Sequence, residues 1–242
     1  MKAVGFDQKI LLHQLDFASQ KLNEVSIKNM HGLLDEYLMS DIKGNASRRC
    51  AHAIVMKIWW SVEENHQLIR DYAHHLYSTL TKNEKYLLHW CMTCLAYPFF
   101  KEQVNYLGKH LRMADEVRSR VVLAEMKNLY GDRRRVEVAT GAVFSTIKNW
   151  NLVKMTSPGV YRMPEKRIGI HAPELKQLMV EVLMDHLDTN SVTLEMVNNS
   201  AIYYPFDYHI ATGDLNEKRF TIIKSIRDTI IERNPKIPYS VE

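Results

Sequence analysis

The 242-residue sequence is poor in glycine, with nine in all, and has no Gly-rich loop ending in Lys-Ser or Lys-Thr, no G-x-G-x-x-G, no H-E-x-x-H and no G-x-S-x-G. These absences remove the usual signatures of a backbone-cradled phosphate or dinucleotide, a helix-borne zinc pair and a nucleophile elbow. Cysteine is scarce as well. Cys50, Cys91 and Cys94 are odd in number and sit among apolar residues of helical spacing, which suits a reducing compartment. Cys91-Met92-Thr93-Cys94 spells C-x-x-C with His89 nearby, yet no second such pair follows and no strand-to-helix turn precedes it. The two thiols therefore read as buried structural groups. No apolar run approaches the ~20 residues that cross a bilayer, and the first residues lack a signal-type apolar stretch, so the expectation is a cytoplasmic protein with no membrane partner. No cofactor and no metal are expected. There is no internal repeat and no low-complexity segment.

Isolated pairs of polar residues do not assemble into chemistry either. His74-His75 are adjacent on a helix and so point in different directions. Asp207-Tyr208-His209 lies in a loop among aromatics, and Glu174-Leu175-Lys176 opens a helix without an upstream aspartate partner.

What is present is a core and a charge gradient. Hydrophobic residues make up 46% and charged residues 25% of the chain, ordinary for a globular protein large enough to need no staples. The net charge is +4, but residues 98–170 hold 14 Lys and Arg against 7 Asp and Glu. A surplus confined to one stretch points to a local anionic partner.

Apolar spacing predicts helices over 8–24, from Ser26 to about 43, from about Ala46 to Trp59, and from about Glu63 to Leu80. Thr81-Lys82-Asn83-Glu84 has the spacing of a capping box, opening a helix to Ala96 that is apolar nearly all round. Pro98 begins the next helix, to residue 112. Asp115-Glu116 opens a run from Val117 to Leu129 closed by Gly131. Pro173 starts a helix to Leu187, Val192–Asn198 reads as a short helix, Ala201–Tyr204 as a strand, and 220–233 as a hairpin rather than a helix.

The chain is organised around residues 115–170. Val136, Ala139, Val143, Ile147 and Trp150 form an apolar stripe. On the opposite side Arg134, Glu137, Gly141, Ser145 and Lys148 fall in a row, charged at both ends and small in the middle. Asn151 sits where a left-handed cap would end the helix. Leu152–Thr156 reads as a strand, Ser157-Pro158-Gly159 as a turn, Val160–Met163 as the returning strand, and Ile168-Gly169-Ile170 as a third.

Helix, cap, strand, turn, strand resembles the winged helix-turn-helix superfamily. That resemblance implies a recognition helix over 133–150 entering a DNA major groove and a hairpin touching the backbone. Together with the helical spacing elsewhere, the expectation is a mainly α fold: a helical bundle over 1–97 packed on a basic winged unit over 98–172, with a small α+β part over 173–242. Arg133, Arg134 and Arg135 would meet phosphates or guanine edges, and Thr140, Gly141 and Ser145 would let the helix sit deep. Arg118, Arg120, Lys148, Lys154, Arg162, Lys166 and Arg167 would clamp flanking phosphates.

The expected activity is non-enzymatic binding of double-stranded DNA in a regulatory or accessory role. The layout is loosely similar to accessory proteins of bacterial mobile-element and phage-defence loci. The rival reading is an interaction subunit whose winged helix binds protein. In either case the apolar N-terminal helices would serve a homodimer or a protein partner.

Overall fold

A computed structural model describes residues 2–234; Met1 and the end of the expected C-terminal part, 235–242, lie outside the described residues. Among the described residues helices dominate, with three small sheets. The N-terminal helices are α1 (Leu12–Gln20), α2 (Ile27–Leu38), α3 (Asn45–Trp59) and α4 (Gln67–Tyr77). The first is shorter than its apolar pattern suggested. Ile10 precedes the helix, where its N–H donates to Thr146 Oγ1 at 3.1 Å, so tertiary pairing replaces the first helical turn. Local signals set other ends: Ser26 Oγ caps α2 by accepting from the Asn29 N–H.

The capping box is realised at α5 (Lys82–Ala96), where Thr81 and Glu84 satisfy each other's backbone N–H. The other oxygen of Glu84 accepts from the backbone N–H groups of His171 and Ala172, so one carboxylate secures two helix starts. α5 is buried on almost every side, and Cys91 and Cys94 are free thiols in its core face. Its Trp90 packs edge-to-face on Phe100, Tyr204 and Phe206, with centroids 5.3, 5.9 and 5.6 Å away. The indole N–H donates to the Ile202 carbonyl at 3.0 Å. One tryptophan thus joins side chains from distant stretches, and edge-to-face pairs of this kind add about 0.5–1.5 kcal/mol each beyond area burial.

α6 (Pro98–Met113) leads to a strand, β1 (Glu116–Arg118), and only then to α7 (Ser119–Tyr130). The expected helix start at Val117 is therefore corrected: Val117 pairs across a sheet with Tyr161. α7 ends at Gly131 with φ of 90°, a conformation open to glycine. After α8 (Arg134–Asn149), Asn151 takes the left-handed conformation at φ 58°. The hairpin β2 (Lys154–Ser157) and β3 (Val160–Arg162) completes an antiparallel sheet of order β1-β3-β2.

The expected third strand at 168–170 does not join that sheet. β4 (Ile168–Gly169) pairs in parallel with β6 (Phe206–Asp207), because Phe206 is drawn into the core beside Trp90. α9 (Pro173–Leu187) packs along α5. Then β5 (Ser191–Thr193) takes the first residues of an expected helix, leaving α10 (Leu194–Asn198), capped by Thr193. Ala201–Tyr203 is a 3-10 turn rather than a strand. β7 (Phe220–Lys224) and β8 (Thr229–Arg233) form the expected hairpin and pair with β5 in the order β5-β8-β7.

Buried side chains from Val4 to Ile231 form one contiguous core. Charged contacts cross it. Asp185 on α9 accepts from His66 Nε2 at 2.8 Å and from Lys101 Nζ at 3.0 Å. Burial pushes the Asp185 carboxyl up, but these two partners overcome it and hold it at about 2. Glu181, one α9 turn earlier, receives Arg219 at 2.9 Å and Arg233 at 2.8 Å. No helix among the described residues is long and apolar enough to cross a membrane.

Candidate nucleic-acid interface

The helix α8 is held from three sides. Its inner face buries Val136, Ala139, Val143, Phe144 and Ile147. Phe144 stacks on Tyr161 of β3 with centroids 4.3 Å apart, fixing the hairpin to the helix. Gln103 Nε2 on α6 donates to the Thr140 carbonyl at 3.1 Å, and Trp150 Nε1 donates to the Ile10 carbonyl at 3.1 Å. The start of α7 is tied to the hairpin turn by the Ser119 N–H, which donates to the Gly159 carbonyl at 2.7 Å.

The outward face carries Arg134, Val138, Gly141, Ser145 and Lys148 at helical spacing, with Asn149 beside the last. A Cβ built on Gly141 would meet nothing within 4 Å, so the middle of this stripe is low and open. Val138, 41% exposed, was not among the sequence-derived candidates; a valine one residue off an apolar stripe carries no sequence signal for exposure. Thr140, which was, faces inward at 3% exposure, because the helix pitch places it with Val136 and Val143.

The three consecutive arginines separate. Arg133 is half-buried and its Nη2 donates to the carbonyls of Tyr130 and Lys2 at 2.9 and 3.1 Å, closing the α7–α8 turn. Arg135 reaches Asp7 at 3.1 Å on the flank. Only Arg134 stands on the open stripe, its side chain 85% exposed.

Glu137 accepts from Lys127 at 2.7 Å and from Arg134 at 2.8 Å, and these two cations hold its carboxyl below the usual range. Lys127 in turn is pushed up by Asp132 and Glu137. The acid on this face is thus internally matched, which removes much of the repulsion a bare carboxylate would present to a phosphate.

The remaining basic candidates fall into two groups. Lys154 and Arg162 share Glu165, at 2.6 and 3.0 Å, and Arg167 pairs with Asp207 at 3.3 Å. Arg118, Arg120, Lys148 and Lys166 are exposed and, among the described residues, make no ion pair. Paired surface arginines and lysines can exchange partners at a cost of about 1 kcal/mol or less; unpaired ones are available outright.

Elsewhere, no group of three or more His, Cys, Asp or Glu among the described residues is placed to hold a metal ion. His89, buried, donates from Nε2 to Asp16 at 2.9 Å and accepts at Nδ1 from Trp59 Nε1 at 3.2 Å. Both ring nitrogens are thus occupied by structural partners.

No protein-family model matches the chain, no curated protein is similar to it, and no solved structure matches its fold.

Proposed function

We propose that residues 98–162 act as a winged helix-turn-helix unit that binds double-stranded DNA, with α8 in the major groove and the β2–β3 hairpin beside it. The observation that carries this reading is the outward stripe of α8: a cation at each end, Val138, Gly141 and Ser145 between them, and open space over Gly141. A major groove about 12 Å wide admits a helix whose contact face is low in this way. The order helix, strand, helix, helix, hairpin, with the first strand on the last, supports the same assignment. Arg134 and Lys148 are then the contacts to phosphates or guanine edges, with Ser145 and Asn149 as shorter hydrogen-bonding groups. Arg118, Arg120 and Lys166 take flanking phosphates. A regulatory or accessory role accords with these contacts, which form a binding surface.

A second reading is favoured by Val121, Leu129 and Val138, each 37–41% exposed on α7 and α8, which would suit a protein partner. A salt titration on random duplex DNA separates the two. For DNA, affinity falls steeply with salt and Arg134→Ala/Lys148→Ala gives a slope shallower by roughly 2, at about 0.9 per lost phosphate contact. Absence of binding at ~50 mM salt would leave the protein-binding reading.

A further inference from the structure

The strand order of the wing sheet recurs. In the first unit a helix (α6) leads into a three-residue strand (β1), a helix follows without a loop, and that strand pairs with the last strand of a later hairpin. In the second, α9 leads into β5, α10 follows at once, and β5 pairs with β8 of the β7–β8 hairpin. The correspondence extends to single positions. Val117 lies opposite Tyr161 and is 4% exposed; Val192 lies opposite Ile231 and is 2% exposed. Five residues on, Val122 and Val197 are both fully buried. Met155 faces Tyr161 as Ile222 faces Ile231.

The two copies differ where the first carries α8. In the second, the stretch between α10 and the hairpin is turned into the core: Ile202, Tyr203, Tyr204, Phe206 and Ile210 are all buried. Tyr203 Oη donates to the Met179 carbonyl at 2.6 Å, and the turn presses on Gly108 of α6. This copy has no helix to offer a groove. What it exposes is its hairpin.

The hairpin tips also differ. That of the first copy, Ser157-Pro158-Gly159, is uncharged, and the nearby Lys154 and Arg162 are engaged by Glu165. The second tip carries Lys224 and Arg227, both exposed and without an ion pair among the described residues, around a wholly exposed Ile226. Asp228 is the one acid in the turn. The tip is pre-shaped, since Ser225 N–H and Oγ both donate to the Asp228 carbonyl, at 2.8 and 3.0 Å, and Ser225 Oγ accepts from the Asp228 N–H at 3.0 Å. Its base is anchored by Arg233 on Glu181.

We infer that residues 173–233 are a second winged unit that has given up its recognition helix to the core and kept its wing, and that this wing also binds duplex DNA. Lys224 and Arg227 meet phosphates across the minor groove, while Ile226 packs between them against sugars or a base step, as apolar residues of minor-groove binders do. The inference rests on the DNA-binding reading of α8.

The test uses the full chain and a random ~30-base-pair duplex, a length that spans about three turns at the phosphate spacing of B-DNA. Affinity is measured against salt for wild type, Lys224→Ala/Arg227→Ala, Ile226→Ala, and Arg134→Ala/Lys148→Ala, with urea midpoints as the folding control. The tip pair is expected to give a slope shallower by about 1.8 with an unchanged midpoint, and Ile226→Ala to lose affinity several-fold at an unchanged slope. If the α8 pair weakens binding while both tip variants match wild type, the second wing is overturned and the α8 reading stands. If the tip variants weaken binding and the α8 pair does not, the α8 reading falls, and with it the inference that rests on it. Wild type that fails to bind overturns both.

Discussion

Under the proposed DNA-binding reading, Gly141 is where folding and binding make opposite demands. It lies in the middle of α8, in helical conformation, with nothing within 4 Å of where a Cβ would stand, so the fold has no use for glycine there. A helix-interior glycine costs about 0.8–1.0 kcal/mol relative to alanine, and leucine lies close to alanine on the same scale. Gly141→Leu should therefore stabilise the protein by about 0.5–1 kcal/mol, read as a higher urea midpoint with an unchanged m-value. On the DNA-bound protein the same side chain would hold the helix away from base edges. Losing even one direct base contact costs about 1–3 kcal/mol, so affinity should fall about fivefold or more. The control is Gly32→Leu on α2, which also has open space at Cβ and lies far along the chain from the interface; it should raise the midpoint and leave DNA affinity alone. A Gly141→Leu protein that is more stable yet binds DNA as well as wild type would refute the placement of α8 in a groove.

Gly108 predicts the reverse. A Cβ there would come within 2.1 Å of the Ala201 carbonyl oxygen, a backbone atom held in the core, so Gly108→Ala should lower stability by the ~1–3 kcal/mol typical of overpacking despite its better helix propensity; an unchanged urea midpoint would contradict the close approach. Arg133→Ala and Lys148→Ala should behave oppositely. The first loses two charged hydrogen bonds in the α7–α8 turn and about 2 kcal/mol of stability, whereas the second leaves stability unchanged and makes the salt slope of DNA binding shallower by ~0.9. Equal effects of the two on both readouts would refute the division of the basic residues into structural and exposed.

Burial lowers the pKa of His52, His74, His89 and His186 below the ordinary 6.5. The unfolded chain therefore binds more protons between the folded and unfolded values. This contribution to stability is complete above pH 6.5 and is lost as the pH falls through and below it. The urea midpoint should drop between pH 7.5 and 5.5, a window well above the values of about 2 to 3.8 where Asp185 titrates. A flat or rising midpoint would show that these imidazoles are not held neutral by the fold.

The sequence by itself determined whatever depends on near neighbours along the chain. The Thr81–Glu84 box, Pro98 and Pro173 at helix starts, the left-handed Asn151 and the periodic helices are set by hydrogen bonds and side-chain spacing within a few residues, so they were legible in advance. Most of the α8 stripe was legible for the same reason, since helix pitch alone places Arg134, Gly141, Ser145 and Lys148 on one side.

Only the tertiary structure could make a strand of Val117, whose partner Tyr161 is 44 positions away, or pair Ile168–Gly169 with Phe206–Asp207 instead of the β2–β3 hairpin. Three-residue strands have no periodicity of their own to read. Three adjacent arginines look alike in sequence, and what divides them is which carbonyl or carboxylate the fold brings within reach of each. The matching strand orders β1-β3-β2 and β5-β8-β7 were hidden for a related reason. A strand order is held by backbone hydrogen bonds between distant segments, which constrain burial at a few positions, such as Val117 and Val192, and leave the remaining side chains free to diverge.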